Sequence, residues 1–274
     1  MAVEILMSVM NQTNFDIAYK SKVNSDILIV NQCDRNAYDE IIVNGHRWRM
    51  ISTKERGLSK SRNMALNNAI GDICILSDDD EVFEDGYAEM VSDAFQENPI
   101  ASVIAFNVRR INYLMNKKYY TIKHFKESSR SFGSVMIGFR LDSIKNADIR
   151  FNEKFGSGSQ WGGGEDTLFL RDIRKKNLKV FECPYYLATI DYSGVSQWFH
   201  GYDERYFYNL GAFLGYTNDG HVNIRLLAYS FYVCFWKLRF EKGLSFLSKF
   251  RWLYKGFKGI QRDVTYNEFL EGRK

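Results

Sequence analysis

The sequence lacks cysteine pairs at the short spacings typical of metal-binding or redox motifs. Its four cysteines are Cys33, Cys74, Cys183 and Cys234, and two of them, Cys74 and Cys234, lie within apolar runs. Cysteines in such runs behave as small buried hydrophobic residues. Their distribution gives no indication of an oxidising compartment.

Long apolar segments are also absent from the sequence, and we expect its first residues to form a strand and not a signal peptide. The longest apolar run, Leu226 to Trp236, has about half of the roughly 20 residues that a helix needs to span a bilayer. The first residues, Met-Ala-Val-Glu-Ile-Leu, contain no basic segment and carry an acid at position 4, unlike a signal peptide. We therefore expect a cytoplasmic protein, with contact to the inner face of the cell membrane as an open alternative.

An excess of one charge is missing overall but present locally. The net charge of the 274 residues is +4. Residues 221–274 hold 11 Lys and Arg against 4 Asp and Glu, a net charge of +7, while the other 220 residues hold 26 against 29, a net charge of −3. A basic tail of this kind fits an anionic lipid surface better than a nucleic acid.

The most informative stretch is an apolar run that ends in three consecutive aspartates. The run from Ile73 to Leu76 predicts a buried strand, and Asp78, Asp79 and Asp80 follow it. Ligands of open α/β sheets bind at the carboxyl ends of strands, and dense carboxylates favour a hard cation such as Mg²⁺ or Mn²⁺. In an extended chain Asp78 and Asp80 share one face, so both could reach one ligand while Asp79 points away. A solvated acidic turn is the alternative.

Basic residues precede this strand. Residues 56–63 read Arg-Gly-Leu-Ser-Lys-Ser-Arg-Asn and lead into a predicted helix that stops at Gly71. The basic start of this helix is expected to face the carboxylates that follow the next strand. This arrangement suits a diphosphate together with its cation.

These segments together resemble the donor-binding half of glycosyltransferase family 2. The resemblance rests on Gly-Leu-Ser-Lys-Ser-Arg-Asn, a short helix, Gly-Asp, an apolar strand and Asp-x-Asp, and it covers about residues 3–185. It implies α/β class with the Rossmann-like A-type glycosyltransferase fold, a mostly parallel central sheet and a C-terminal helical appendage. It also implies a nucleotide-sugar donor, expected to be UDP-linked, and Mn²⁺ or Mg²⁺ as cofactor.

The resemblance assigns donor contacts residue by residue. Asp80 would hold the metal, and Asp78 the ribose or the metal. Asp34, beyond the second predicted strand, would contact the base, although a simple turn residue is the alternative there. The donor-binding set is Asp34, Arg56, Arg62, Asp78, Asp79 and Asp80.

A glycine-rich segment ending in an acidic pair is the second candidate region. Five of residues 156–164 are glycine, and Glu165 and Asp166 then open a predicted helix, Thr167 to Lys176. Such a loop lets backbone approach a ligand closely. The family has an acidic pair in this place whose Asp is the catalytic base, so Asp166 is the implied base, with Glu165 beside it. Complementing the helix dipole is the alternative role.

Acceptor contacts are expected on the same side as this base. Trp161 is suited to stacking on an acceptor sugar, with a core or loop anchor as the alternative. Residues 196–211 resemble a segment that follows the catalytic pair in some bacterial members. The acceptor set is Trp161, Gly163, Gly164 and Trp198, and His200 is a candidate third metal ligand, although a structural histidine is more common. The implied acceptor is a lipid-linked glycan, as in bacterial surface polysaccharide or capsule assembly.

The domain organisation follows from these segments. We expect a nucleotide-sugar-binding catalytic domain over residues 1–190 and an acceptor-side, C-terminal helical region over 191–274. Residues 224–238 are apolar nearly all round, and residues 244–258 fit either an interfacial amphipathic helix or a helix packed on the core. A basic, aromatic hairpin turning at residues 116–117 is expected as a solvated hairpin or an acceptor-side flap.

Two other functions share parts of this pattern. A nucleotidyltransferase would also bind a cation through such carboxylates, but it would need a lysine- and glycine-rich loop after the first strand. The chain has Met-Asn-Gln-Thr-Asn there. A non-catalytic partner subunit of a glycosyltransferase is opposed by the intact acids at Asp78, Asp80 and Asp166. The favoured reading is metal-dependent displacement with inversion at the anomeric carbon.

Overall fold

A computed structural model describes residues 1–112, 120–193, 201–221, 224–237 and 243–272. The chain forms two compact units. The first comprises Met1–Glu153 and Glu165–Val195, and the second comprises Lys154–Gly164 and Ser196–Lys274.

The described residues of the first unit form a ten-stranded sheet. Its strands are β1 (Val3–Met10), β2 (Asp26–Gln32), β3 (Ala37–Val43), β4 (His46–Thr53), β5 (Ile73–Ser77), β6 (Glu81–Phe83), β7 (Val103–Ile111), β8 (Lys126–Glu127), β9 (Ile137–Arg140) and β10 (Val180–Asp191). The order across the sheet is β3-β4-β2-β1-β5-β9-β7-β10-β6, and β8 pairs with β10. Strands β4, β2, β1 and β5 run parallel, as do β7 and β10. Strand β9 lies between these two groups and is antiparallel to both, and β3, β6 and β8 also pair antiparallel with their neighbours. The α/β fold class is confirmed, with a mixed sheet.

Helices cover this sheet and connect its strands. They are α1 (Asp16–Lys20), α2 (Leu58–Asn68), α3 (Tyr87–Glu97), α4 (Leu141–Asn146) and α5 (Glu165–Lys175), with one 3₁₀ turn at Ser134–Met136. The helix predicted to end at Gly71 is α2. Its entry to β5 is fixed by Glu4, whose buried carboxylate accepts from the backbone N–H groups of Ile70 and Gly71 and pairs with Arg49.

The central strands are buried on both faces. In β1, Ile5 and Met7 belong to one hydrophobic cluster and Leu6 to the other; in β5, Ile75 and Leu76 divide in the same way. Side chains alternate along a strand, so both layers of the core are filled by one continuous apolar run. This explains why these strands lack the alternating polarity of half-exposed strands.

The second unit is helical. Its helices are α6 (Glu204–Thr217), α7 (Ile224–Phe231), a π-helical stretch (Tyr232–Lys237), α8 (Phe246–Gln261) and α9 (Tyr266–Glu271). Helices α6 and α8 meet at glycines: a Cβ on Gly211 would clash with the backbone of Leu253, and one on Gly256 with the backbone of Tyr208. The predicted helix at 244–258 therefore packs on α6, with Leu253 buried.

Two further predictions concerned a hairpin turn and the absence of a membrane-spanning helix. The hairpin turn at residues 116–117 lies outside the described residues. Among the residues that are described, every helix is too short or too polar to span a bilayer.

Candidate active site

The parallel strands bring three predicted site residues to one edge of the sheet. Asp34 lies just beyond β2, Arg56 just beyond β4 and Asp78 directly after β5. Because β2, β4 and β5 belong to one parallel set, their carboxyl ends lie at the same edge. This is the edge at which open α/β sheets bind ligands.

A buried guanidinium joins the two acidic regions. The Arg62 side chain, from α2, is only 3% exposed. Its Nη1 donates to Asp166 Oδ1 at 2.8 Å and to Glu165 Oε1 at 3.3 Å. Its Nη2 donates to Asp78 Oδ1 at 3.2 Å and to Ser134 Oγ at 2.6 Å. The acidic pair that opens α5 and the first aspartate after β5 are therefore partners of one arginine.

Both carboxylate oxygens of Asp166 accept hydrogen bonds, but the side chain remains partly exposed to solvent. Oδ1 accepts from Arg62, and Oδ2 accepts from the backbone N–H of Ser134 at 2.9 Å. Its side chain is 23% exposed, whereas that of Glu165 is 10% exposed. A substrate hydroxyl can approach Asp166 more readily than Glu165.

The pKa values of Glu165 and Asp166 are raised, although a helix N-terminus alone favours charged carboxylates. Burial raises the pKa of Asp166, and the opposing effects of Arg62 and the Ser134 N–H do not offset it. Burial and repulsion from Asp166 raise the pKa of Glu165. Burial also opposes the charge on Arg62, but the three carboxylates outweigh it and raise the pKa of the guanidinium. The first turn of α5 thus holds a proton more tightly than free carboxylates do.

The aspartate triplet forms a turn, not the extended chain that we predicted. Asp79 and Asp80 occupy the turn between β5 and β6, so the alternation that would put Asp78 and Asp80 on one face does not apply there. Partial burial, followed by repulsion from Asp78 and Asp79, raises the pKa of Asp80 to about 6. The pKa of Asp79 is raised for similar reasons.

These carboxylates suit a hard cation by their chemistry. Glu81, next in the chain, is 1% exposed, and its Oε2 has no hydrogen-bond partner among the described residues. Burial and repulsion from Asp78 raise its pKa well above the usual value. No group of three His, Cys, Asp or Glu within the described ranges forms a complete ligand set. Mg²⁺ is usually held by one or two carboxylates together with substrate phosphates, so the donor set fits such an ion.

Asp34 and Arg56 form a separate, more open pair. Arg56 Nη2 donates to Asp34 Oδ1 at 2.6 Å, and Arg56 Nη1 donates to the Cys33 carbonyl at 2.7 Å. The Asp34 side chain is 99% exposed. The arginine is thereby fixed against the loop after β2, while the carboxylate remains accessible.

The glycine-rich segment belongs to the second unit. Trp161 is fully buried and packs on Phe155, with ring centroids 5.6 Å apart. In this arrangement Trp161 anchors the loop. Gly163 and Gly164 both have positive φ, and Gly164 also packs so closely on Phe213 that a Cβ there would clash. Trp198 and His200 lie outside the described residues.

Sequence reasoning missed two residues of the acidic cluster. Ser134 Oγ accepts from Arg62 and the Ser134 backbone N–H donates to Asp166, but Ser134 was not among the predicted site residues. Glu81 follows the aspartate triplet and was not among the predicted site residues, although it is buried. Glu81 shares one face of the short strand β6 with the buried Phe83, so alternation along the strand could have indicated its burial. No local signal marks Ser134.

A comparison with protein-family models decides the family. The model described as glycosyl transferase family 2 matches residues 3–160, more than half of the chain. The chain belongs to glycosyl transferase family 2. The match contains the aspartate triplet, Arg62 and residues 156–160 of the glycine-rich segment, and it ends before Glu165 and Asp166.

Solved structures share the fold of this family 2 chain. S. aureus TarS 1-349 has a TM-score of 0.59 and 12% identity, covering 95% of this chain and 81% of that chain. The same TarS fragment in complex with UDP-GlcNAc has a TM-score of 0.57 and 12% identity, covering 98% and 78%. Its complex with UDP has a TM-score of 0.52 and 15% identity, covering 99% and 78%. No curated protein matches in the sequence search.

Proposed function

We propose that this glycosyltransferase moves a hexosyl unit from a UDP-linked sugar to a glycan acceptor by direct displacement with inversion. The observation that carries the proposal is the position of Asp166. This carboxylate is partly exposed, opens a helix and shares the guanidinium of Arg62 with Asp78 at the strand edge. A base and a donor-side aspartate therefore belong to one cluster.

Asp166 acts as the base in this proposal. A sugar hydroxyl is a weak nucleophile near neutral pH, and a carboxylate within hydrogen-bond reach can take its proton as the new bond forms. Glu165, more buried, stays behind Asp166. The leaving diphosphate departs on the opposite face of the anomeric carbon, so the product has the inverted configuration.

The donor side combines the open Asp34–Arg56 pair with the aspartate turn. Asp34 is proposed to bind the nucleobase, and Arg56 to bind the base or the diphosphate. The choice of uridine is supported by the UDP-GlcNAc and UDP complexes of TarS, which has a similar fold. Residues 1–190 are assigned to donor binding and catalysis.

Asp80 and Asp78 are the residues proposed to hold Mn²⁺ or Mg²⁺, with Asp79 beside them and His200 as a further candidate. Two observations support this assignment: partial burial and repulsion from Asp78 and Asp79 raise the pKa of Asp80, and Glu81 Oε2 is buried without a hydrogen-bond partner among the described residues. A bound cation would stabilise the charged form of both carboxylates. When bound, the cation would neutralise the diphosphate leaving group.

The acceptor side is assigned to residues 191–274, together with Gly163 and Gly164 of the glycine-rich segment and Trp198, while the buried Trp161 anchors that segment. We propose a lipid-linked glycan acceptor, as in assembly of a bacterial surface polysaccharide. Exposed aromatic side chains support contact with an anionic membrane: Phe231, Tyr232, Phe235 and Trp236 are each about half exposed, in a region of net charge +7. Aromatic and basic groups together suit the surface of such a bilayer.

A donor panel tests the proposed function. Purified protein is incubated with Mn²⁺ and a set of UDP-, GDP-, CDP- and dTDP-sugars, and release of the nucleoside diphosphate is measured with and without a lipid extract as acceptor. We expect release from a UDP-sugar that the extract stimulates. Release from another nucleotide class would overturn the choice of donor, and absence of release with all of them would overturn the enzymatic proposal.

A further inference from the structure

Arg62 lies at the centre of the acidic cluster, and protein acceptors occupy the outer edge of its guanidinium. The two terminal nitrogens carry four N–H groups. Four acceptors lie within hydrogen-bond distance of them, one each from Asp166, Glu165, Asp78 and Ser134. In this arrangement no terminal N–H is left for a phosphate oxygen.

The remaining N–H, at Nε, is also closed to a ligand. Arg62 Nε is buried and has no hydrogen-bond partner among the described residues. The ring of Phe151 lies against the guanidinium, with its centroid 5.4 Å from Cζ. The side chain is thus fixed from several directions and is 3% exposed. A diphosphate at the sheet edge would meet Asp78 before it met Arg62, because the Asp78 side chain is 33% exposed.

We propose that Arg62 is a positioning residue that holds the base Asp166 and the donor-side Asp78 in one network, and that it does not bind the diphosphate directly. This inference rests on the proposed function, in which Asp166 takes the acceptor proton and Asp78 faces the donor. The planar fork sets the separation of the two carboxylates, which a point charge cannot do.

The charge of Arg62 also affects the protonation of Asp166 and Glu165. Three carboxylates surround one guanidinium, and removing a buried partner leaves the others uncompensated. The simplest response is proton uptake by Asp166 or Glu165. Arg62 lowers the pKa of both, so its loss should move their titration to higher pH.

The test compares Arg62→Gln, Arg62→Lys and Ser134→Ala with wild type. Arg150→Gln is the matched control, since Arg150 is an exposed arginine paired with Asp148 at the surface. For each folded variant, kcat and donor KM are measured from pH 5 to pH 9 with the best donor of the panel. The affinity for the corresponding nucleoside diphosphate with Mn²⁺ is measured by calorimetry, and folding is checked by circular dichroism.

A positioning role predicts a specific set of changes. Arg62→Gln should lower kcat by at least about 100-fold, the lower end for loss of a general base. Nucleoside diphosphate affinity should change by less than about threefold, and the acidic limb of the kcat profile should move to higher pH. Arg62→Lys keeps the charge and loses the fork, so it should leave the acidic limb in place and restore only part of kcat. Ser134→Ala should lower kcat more mildly without weakening nucleotide binding.

Two results would overturn the inference. If Arg62→Lys or Arg62→Gln weakens nucleoside diphosphate binding by tenfold or more, Arg62 is a diphosphate ligand. If kcat is unchanged in Arg62→Lys and Ser134→Ala, the network does not position the base. Should Arg62→Gln fail to fold, these two variants decide the question. Asp166→Asn is measured in parallel: full activity there removes the proposed base, whereas an inactive Asp166→Asn with unaffected Arg62 variants removes the positioning role alone.

Discussion

Arg62 Nη1 lies 2.8 Å from Asp166 Oδ1, although the two residues are 104 positions apart in the chain. The arginine comes from the segment that precedes the aspartate triplet, and the aspartate opens the helix that follows the glycine-rich loop. Their hydrogen bond joins the two parts of the sequence that resemble the family. Arg62 also donates to Asp78, so one guanidinium connects Asp166, the proposed base, with Asp78 on the donor side.

The first prediction concerns the base. Asp166→Asn preserves shape and removes basicity, so transfer should fall by at least about 100-fold. Nucleoside diphosphate affinity should change little, because Asp166 is assigned to the acceptor. Asp172→Asn is the matched control, since Asp172 lies on the same helix and is about half exposed. Near wild-type transfer by Asp166→Asn, or a product that retains the donor's anomeric configuration by NMR, would contradict the mechanism.

Local patterns predicted β5, α2 and the helix that Glu165 and Asp166 open, which is α5. They missed β3, an exposed edge strand whose Asp39 and Glu40 disfavour a strand assignment. The available signal was Asn44-Gly45, where both residues have positive φ and join β3 to β4 as a tight hairpin.

What the sequence could not supply was the pairing of distant groups. Ser134 contacts Arg62 and Asp166 across 72 and 32 residues of chain, and nothing in its neighbourhood indicates either bond. Likewise, the sequence left open whether Trp161 stacks on an acceptor sugar or anchors the core or loop, and the structure buries it against Phe155. Local propensity describes elements, whereas burial depends on which elements meet.

A second prediction concerns the metal. Nucleoside diphosphate binding should require Mn²⁺ or Mg²⁺, and Asp80→Ala should abolish both this requirement and most of the affinity. Asp85→Ala provides the control, because Asp85 is an exposed aspartate of the same segment, near Lys22. Calorimetry with EDTA or with added metal measures the difference. Unchanged metal-dependent binding in Asp80→Ala would remove Asp80 from the ligand set.

The pH dependence of this binding is a third prediction. Partial burial and neighbouring aspartates raise the pKa of Asp80 to about 6, and its protonated form is a poor cation ligand. Metal-dependent affinity should therefore be constant above about pH 7 and fall as the pH drops through 6.

Without metal, the raised pKa of Asp80 makes the folded protein less stable as the pH rises, which is the opposite direction to the change in metal affinity. Between an unfolded pKa near 3.9 and about 6, the folded chain binds more protons, so stability falls as pH rises. Thermal melts of Asp80→Asn should show a weaker fall than wild type; equal slopes would refute the shift.

The contact between α6 and α8 gives a fourth prediction. A Cβ at position 256 would clash with the backbone of Tyr208, which belongs to a helix and cannot move alone. Gly256→Ala should lower the free energy of unfolding by about 1–3 kcal/mol or more, the cost of overpacking. Gly272→Ala is the control, because its added Cβ would lie 3.4 Å from the Glu268 carbonyl oxygen, near ordinary contact. Urea unfolding of both variants measures the effect, and equal stability would show that the helices separate easily.

The last prediction concerns the membrane. Because α8 packs on α6 through Gly256 and Leu253, deleting the tail would remove part of a folded core and would not test lipid binding alone.

Substituting exposed aromatic residues is a sharper test of membrane binding. Phe235→Ser combined with Trp236→Ser leaves the charge unchanged and removes two half-exposed rings. Wild type should co-sediment with liposomes containing phosphatidylglycerol, and high salt should weaken this, since each basic residue near such a surface contributes about 1 kcal/mol. The double variant should bind less at every salt concentration. Ile100→Ser, which changes an exposed apolar residue of the first unit, should bind as wild type does. Equal sedimentation with phosphatidylglycerol and with neutral phosphatidylcholine would instead mean that the basic tail does not recognise anionic lipid.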